Sequence, residues 1–228
     1  MSDEPLAFSP DQFSGQARMF PLPNLVMFPH VMQALHIFEP RYRALLEESL
    51  ADDRLMALGV LAPGWEHSSS TRPAVHPMAC LCRIATHQRT PQGTYNVLLL
   101  GVRRLRLREE VSTPKPFRVV AADILEDDDS AAGSAVTVAE MQRRLLAAFK
   151  RAMPRLPDAQ GQLDQLLGSQ ITLGMLTDIV AYTIDIDMPW KLRLLAETDV
   201  LRRTDLLLEA LASRGRVERA FPPPFSVN

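Results

Sequence analysis

Three kinds of side chain in this sequence have the chemistry to act on a ligand: two thiols, five imidazoles and a short run of guanidinium groups. Cys80 and Cys82 stand two residues apart in an apolar, strand-like run, a spacing that puts both thiols on one face of the strand. A mutual disulfide is awkward in that geometry, and a structural zinc site needs a second pair of ligands. The expectation is two buried free thiols in a reducing compartment. His30, His36, His67, His76 and His87 are scattered, and His30 and His36 are separated by a turn and a strand, so neither a metal pair nor a catalytic pair is indicated. No G-x-S-x-G elbow occurs. The lysines are Lys115, Lys150 and Lys191, none of which follows a glycine, so a G-x-x-x-x-G-K-[ST] phosphate loop is absent. A nucleophile, a base and an orienting group cannot be assembled, and the sequence predicts neither catalysis, nor a cofactor, nor a metal.

Arg103, Arg104, Arg106 and Arg108 form the one basic feature. They alternate in part with Leu105 and Leu107, which predicts a solvated sheet face, with phosphate contact as the second option. A net charge of −2, the absence of aromatic residues between the arginines, and the nearby Glu109, Glu110 and Glu126–Asp129 weigh against nucleic acid. Among apolar residues, Phe28, Pro29, His30 and Met32 have the character of a docking lip, or of a plug closing a small barrel. Trp65 lies in a loop rich in Gly, Ser and Pro and is a contact candidate. Trp190, just after Pro189, reads as helix packing.

These residues are positioned by a stretch from Phe20 to Leu50, FPLPNLVMFPHVMQALHIFEPRYRALLEESL. Pro21, Pro23 and Pro29 each fix φ and remove a donor, so the stretch reads as a short strand, a rigid turn through Phe28-Pro29-His30, a second strand at Gln33–Phe38, and a helix. Pro40 suits the first turn of that helix, and Tyr42, Leu45, Leu46 and Leu50 fall on one face. Arg54–Leu61 is a continuous apolar run of strand length. Ala62–Pro77 is a long loop. Met78–Gln88, the turn Thr90-Pro-Gln-Gly-Thr94 and Tyr95–Arg108 predict a hairpin, and Phe117–Leu125 a further strand. Five or six strands with one helix make a mixed or mostly antiparallel sheet able to curl into a small barrel.

After Leu125 the composition changes. Residues 126–135 are acidic and then small, a linker by composition. Thr137-x-x-Glu140 is a capping-box pattern, followed by Met141, Leu145, Ala148, Phe149 and Ala152 at helical spacing. Gln162–Gly168 predicts a helical turn. Leu173, Leu176, Ile179, Val180 and Thr183 predict an amphipathic face, Pro189 opens a short helix, and Thr198 or Asp199 caps a last helix stopped near Gly215. The domains expected are thus a disordered arm at 1–16, a β domain at 17–125, a linker, a helical bundle of four or five helices at 136–215, and a proline-rich tail at 216–228. The fold class is α+β. The N-terminus lacks a basic and an apolar region, so a signal peptide is not expected, and no apolar run reaches membrane-spanning length. A cytoplasmic protein without membrane contact is expected.

The Phe20–Leu50 stretch followed by DRLMALGVL resembles the start of the Lon protease N-terminal domain, the LON substrate-binding module. HPMACLCRIATHQRTPQGTYNVLLLGVRRLRLRE resembles the family's hairpin ending in a Gly-Val-x-Arg strand. MLTDIVAYTIDIDMPWKLRLLAETDVLRRTDLLLEAL resembles its helical signature. The motifs keep their order over residues 17–213. The resemblance implies a PUA-like small β-barrel domain followed by an all-helical bundle, and a role in engaging polypeptides in protein quality control. It is nearest in character to stand-alone LON-domain proteins, since the ATPase and serine–lysine peptidase motifs are missing.

The expected function is non-catalytic binding of unfolded or exposed hydrophobic polypeptide segments. Its expected contacts are Phe28, His30, Met32, Tyr42 and Trp65, with Arg104 and Arg106 steering acidic segments and edge-strand pairing as one mode. The expected partners are unfolded or partly folded polypeptides and a separate ATPase or protease, with the oligomeric state left open. The alternative is an RNA-binding PUA-like protein using the arginine-bearing strand.

Overall fold

The computed structural model describes residues 8–67, 72–129, 135–152 and 171–214. The chain divides into two compact units, one ending at Glu126 and one beginning at Asp127. The α+β class is borne out by a mixed sheet in the first unit and helices in the second.

The first unit contains β1 (Gln16–Leu22), β2 (Met32–Ile37), α1 (Pro40–Ala51), β3 (Leu55–Leu61), β4 (Val75–Arg89), β5 (Tyr95–Val111) and β6 (Arg118–Leu125). Strand order is β2-β5-β4-β3-β1-β6, and β6 pairs with β5 as well. Only β1 and β3 are parallel, which requires the crossover supplied by β2 and α1. The pairings therefore close a circuit, β5-β4-β3-β1-β6-β5, and leave β2 outside it. The long hairpin β4–β5 makes this geometry possible. Its turn is closed by Thr90 and Thr94, whose backbone groups bond at 2.8 Å. The first half of β5, Tyr95 to Leu100, takes β2 on one edge; its second half, from Arg104 onward, takes β6. Register shifts near Cys82, Thr86 and Glu110 bend the strands between these partners.

Gly101 sits where β5 changes partner. Its N–H donates to Val31 O at 2.9 Å, and its carbonyl accepts from His30 N at 2.8 Å. His30 adopts φ 65°, a left-handed conformation that turns the chain between Pro29 and β2. The Phe28–Val31 turn thus fills the gap between the two partners of β5.

Inside the circuit, residues of five strands meet: Ala17 and Met19, Leu55 and Ala57, Ala79 and Leu81, Val102 and Leu105, Val120 and Ala122. Helix α1 packs on β1 and β3 through Tyr42, Leu45 and Leu46, and the Tyr42 ring lies 4.2 Å from that of Phe20. Leu50, expected on the same face, is only half buried, and Ser49 takes the buried position. The arm expected to be disordered to residue 16 is corrected by the described part. Phe8 and Phe13 pack against the core around a 3₁₀ turn at Pro10–Gln12, and β1 begins at Gln16. Two half-buried rings offset the entropy of ordering so short a segment.

Arg18 is held by three carboxylates. Its Nε donates to Glu48 Oε1 at 2.9 Å and its Nη1 to Asp53 Oδ1 at 2.8 Å, and it pairs with Asp52. Lys115 Nζ reaches the same Glu48 oxygen at 2.6 Å. Burial pushes the Glu48 carboxyl up, but the hydrogen bonds from Lys115 and Arg18 outweigh it and leave the group below its ordinary value.

In the second unit the described helices are α2 (Ala135–Ala152), α3 (Leu173–Thr183), α4 (Met188–Ala196) and α5 (Val200–Arg214). Met141, Leu173 and Val200 meet at its centre. Asp199 caps α5 by accepting from Arg202 N at 3.0 Å, as its position before the apolar run suggests. Thr172 caps α3 in the same way. Two helical expectations are corrected. The helix expected to start at a Thr137 cap is already helical from Ala135, so Thr137 lies within its first turn. Thr183 is exposed, and the buried face of α3 runs through Leu173, Leu176, Thr177, Val180 and Ala181. The turn expected at Gln162–Gly168 and the tail at 216–228 lie outside the described residues.

A polar cluster is buried in this unit. Arg203, 0% exposed, donates to both carboxylate oxygens of Asp127 at 2.9 and 2.5 Å and to Glu197 O at 2.9 Å. Its Nε faces Asp178 Oδ1 at 3.4 Å. Beside it, the hydroxyls of Thr177 and Thr204 lie 2.9 Å apart. A Cβ on Gly174 would strike both Asp127 and Arg203, so the glycine makes room for the ion pair.

Candidate functional site

β2 carries the most accessible apolar surface in the first unit. Its residues alternate in exposure: Met32, Ala34 and His36 face outward, and Phe38, one residue beyond the strand, continues the period of two. Met32 is 48% exposed and Phe38 43%, and they are the two large exposed hydrophobic residues among the described residues. His36 links them to the sheet. Its Nδ1 lies 2.7 Å from Asn96 Oδ1, and its ring stacks on Phe38 with centroids 6.2 Å apart. Directly paired residues of adjacent strands share a face, so Leu100, Leu98 and Asn96 of β5 extend this stripe, followed by Thr86 and Gln88 of β4. Leu98 and Leu100 are half buried, and Asn96, Thr86 and Gln88 are exposed.

The expected contact residues do not gather in one place. Phe28 is 0% exposed and Tyr42 6%, so both are core residues and offer no side-chain surface to a ligand. This corrects their expected anchoring role. The Phe28-Pro29-His30 turn faces inward because it fills the partner gap at Gly101. His30 is half buried at the turn, and Met32 is the exposed member of the expected lip. Trp65 is half buried in a 3₁₀ turn, Trp65–His67.

The arginine run is likewise divided. Arg104 is 2% exposed, which removes it from the expected solvated face and rules out its steering role. Register shifts in β5 disturb simple alternation, so a polar–apolar pattern does not tell which arginines turn inward. Arg103 pairs with Glu126 at 3.3 Å and lies over the Phe8 ring, and Arg108 pairs with Asp123. Arg106 is exposed, but on the half of β5 that pairs with β6, away from the β2 stripe.

The remaining polar groups do not converge on a reaction. A hollow of about 220 Å³ is lined by His76, Arg108, Glu110 and Arg118 among others. Its charges are engaged with one another or nearby: Arg118 donates to Glu110 at 2.8 Å, and Arg72 reaches the other Glu110 oxygen at 2.8 Å. His76 Nδ1 accepts from Met78 N at 3.1 Å, and burial holds the ring below its ordinary pKa. Cys80 and Cys82 are buried and carry thiols rather than a disulfide. Among the described residues no group of three or more His, Cys, Asp or Glu side chains is placed to hold a metal, and no helix is long and apolar enough to cross a membrane.

The stripe residues Ala34, His36, Phe38 and Leu98 were not singled out by sequence reasoning. Their signal was present: an uncharged run from Val31 to Phe38 in which Gln33 and His36 are the polar residues. What the sequence lacked was any indication that this strand lies at the end of the sheet.

Comparison with known proteins supplies the context. The family described as the ATP-dependent protease La (LON) substrate-binding domain matches residues 16–213. Lon protease 2 of Myxococcus xanthus is 24% identical over 193 residues, covering 85% of this chain and 23% of that protein. Lon protease of Xanthomonas oryzae pv. oryzae is 24% identical over 190 residues, covering 83% of this chain and 22% of that protein. The chain thus spans under a quarter of the length of these curated relatives. The solved Lon N-terminal domain protein from Xanthomonas campestris superposes with a TM-score of 0.60 at 20% identity, covering 85% of this chain and 97% of that one. The N-terminal domain of the Mycobacterium avium complex Lon protease gives 0.59 at 14% identity, covering 86% and 98%. At these identities the structural likeness speaks for the fold.

Proposed function

The chain belongs to the LON substrate-binding domain family, and from that premise we propose that it is a non-catalytic module binding unfolded polypeptides through their apolar side chains. The observation that carries this is the coincidence of family membership with the uncharged Met32–Phe38 stripe on the terminal strand of the sheet. The stripe is continuous across β2 and β5, and its apolar members are anchored in a paired strand rather than in a loop. An apolar side chain of a client leaves water when it lies over Met32, Leu98 or Phe38, and each such contact contributes modestly, so that affinities fall in the micromolar range for small interfaces.

The closed circuit of strand pairings supports describing the first unit as a PUA-like small barrel. Lon proteases join this kind of domain to their own machinery, so a separate ATPase or protease is the natural recipient of a bound client. RNA binding is not carried forward, because Arg103 and Arg108 face carboxylates and Arg104 is buried.

The test is fluorescence anisotropy with a reduced, alkylated unfolded protein and the same protein in its native form. Binding of the unfolded form alone, weakened several-fold by Phe38→Ser with Met32→Ser, is the expected result. Equal binding by the double variant would move the site elsewhere, and no binding to any unfolded protein would end the proposal.

A further inference from the structure

We propose that β2 receives its ligand as an added strand: an extended polypeptide segment with apolar residues at alternate positions and no lysine or arginine among them. This rests on the polypeptide-binding reading above and specifies how the client is held.

The position of β2 carries the first part. It is last in the sheet, joined to β5 by an unbroken register from Met32↔Leu100 to Ile37↔Tyr95, and its outer edge pairs with no strand among the described residues. Exposed edges of this kind are ordinarily blunted by lysine, proline, a bulge or an inward charge, because they template further pairing. From Val31 to Phe38 the chain has none of these: no charged residue, no proline, no register shift. On this strand Gln33 Nε2 donates to Ala34 O at 2.5 Å, a side-chain bond that an incoming backbone N–H can displace. A strand of this length spans about 20 Å, enough for some six ligand residues.

The exposed stripe carries the second part. In an added strand every second side chain lies on the same face as Met32, Ala34, His36 and Phe38. Those positions therefore select residues that bury well against methionine, alanine and phenylalanine. The paired residues of this face include one charged side chain, the cationic Arg83. Across β2, β5 and β4 it holds His36, Asn96, Thr86, Gln88 and the half-buried Arg83, with no carboxylate to meet a ligand cation. A segment with lysine or arginine on the stripe side finds no partner there, while acidic flanks are tolerated. Period-two apolar segments are the sequences that build strands in folded proteins, so such a site favours clients whose sheets have come apart.

The experiment uses the full chain and synthetic peptides. One has alternating valine and threonine between glutamate caps, and a second has the same composition rearranged to helical spacing. In two further peptides every second backbone amide of the alternating sequence is N-methylated, one for each phase. Strand addition predicts that the alternating peptide binds best. Methylation in one phase, where the amides face β2, weakens binding about tenfold or more, and in the other phase only slightly, because each lost hydrogen bond costs on the order of one RT ln 10. Sedimentation of the ligand-free protein accompanies this. Equal tolerance of both phases, with unfolded-protein binding intact, overturns strand addition and leaves the binding function standing. Loss of all peptide and unfolded-protein binding overturns both. A ligand-free dimer that Ala34→Lys dissociates would make a second copy of this chain the occupant instead, and would overturn the proposal.

Discussion

The carbonyl group of Phe28 occupies the space that a side chain on Gly101 would need. A Cβ built on Gly101 would strike Phe28 O and C, with Cys80 Sγ at 3.1 Å on the same side. The backbone of the turn and the backbone of β5 are therefore in direct contact, sealed by the two hydrogen bonds of Gly101 with His30 and Val31. This contact lets β5 exchange β2 for β6 without leaving its edge bare. Gly101→Ala must displace backbone rather than the tip of a flexible side chain, so it is expected to cost about 1–3 kcal/mol or more, as overpacking does. Urea unfolding followed by far-ultraviolet circular dichroism measures this, and an unchanged midpoint would show that the turn can lift away freely.

In the second unit Arg203 holds Asp127 in a bidentate pair with no solvent access to the guanidinium. Removing Arg203 takes the cation away from the buried Asp178, and removing Asp127 takes the bidentate acceptor from a guanidinium with no solvent access. Asp127→Ala or Arg203→Ala is expected to lower stability by about 3–5 kcal/mol, whereas the double replacement Asp127→Leu with Arg203→Met should cost less than the sum. Asp178 stays behind in the double variant and also loses its cation, so the recovery will be incomplete. Thermal unfolding of the four proteins closes the cycle.

Glu48 gives the first unit an acid limit. Its carboxyl titrates below its ordinary value in the folded chain. The unfolded chain therefore binds the proton more readily, and stability rises with pH across the window between the two values. The contribution is fully present above the unfolded value of about 4.3 and is lost as pH falls through the folded one. Glu48→Gln should flatten the stability profile below the unfolded carboxylate value and leave the remaining carboxylates to set the slope. Guanidinium midpoints measured at half-unit pH steps would detect the difference, and superimposable profiles would remove Glu48 from the acid limit.

Much of this architecture was legible because local rules acted alone. Pro40 opening α1, the Thr90–Thr94 turn and the Asp199 cap each depend on a few neighbouring residues, and each appears where the sequence places it. What was illegible depends on distant partners. Arg104 reads as a surface residue by type, yet bulges in β5 and the arrival of β6 enclose it. Phe28 and Phe38 are chemically identical and ten positions apart. Nothing local tells that the first fills the gap beside Gly101 while the second projects from the open edge. Asp178 and Arg203 lie on α3 and α5 with the whole of α4 between them, so no periodicity rule pairs them.

That pair of phenylalanines separates folding from binding by experiment. Phe28 is wholly enclosed, and Phe28→Ala removes a core ring and leaves a cavity, for an expected loss of about 3–5 kcal/mol. Phe38 is 43% exposed and its ring stacks on that of His36, so Phe38→Ser should change stability by no more than about 0.5–1 kcal/mol. Binding reverses the order. Below the unfolding transition the Phe28 variant should keep the affinity of the parent for unfolded polypeptide, because the stripe itself is untouched. The Phe38 variant should lose affinity several-fold while its melting curve stays in place. Paired calorimetric and anisotropy titrations on the two variants read both quantities. A Phe28 variant that stays folded yet loses binding would return the site to the turn, as the sequence first suggested, and take it away from the edge of β2.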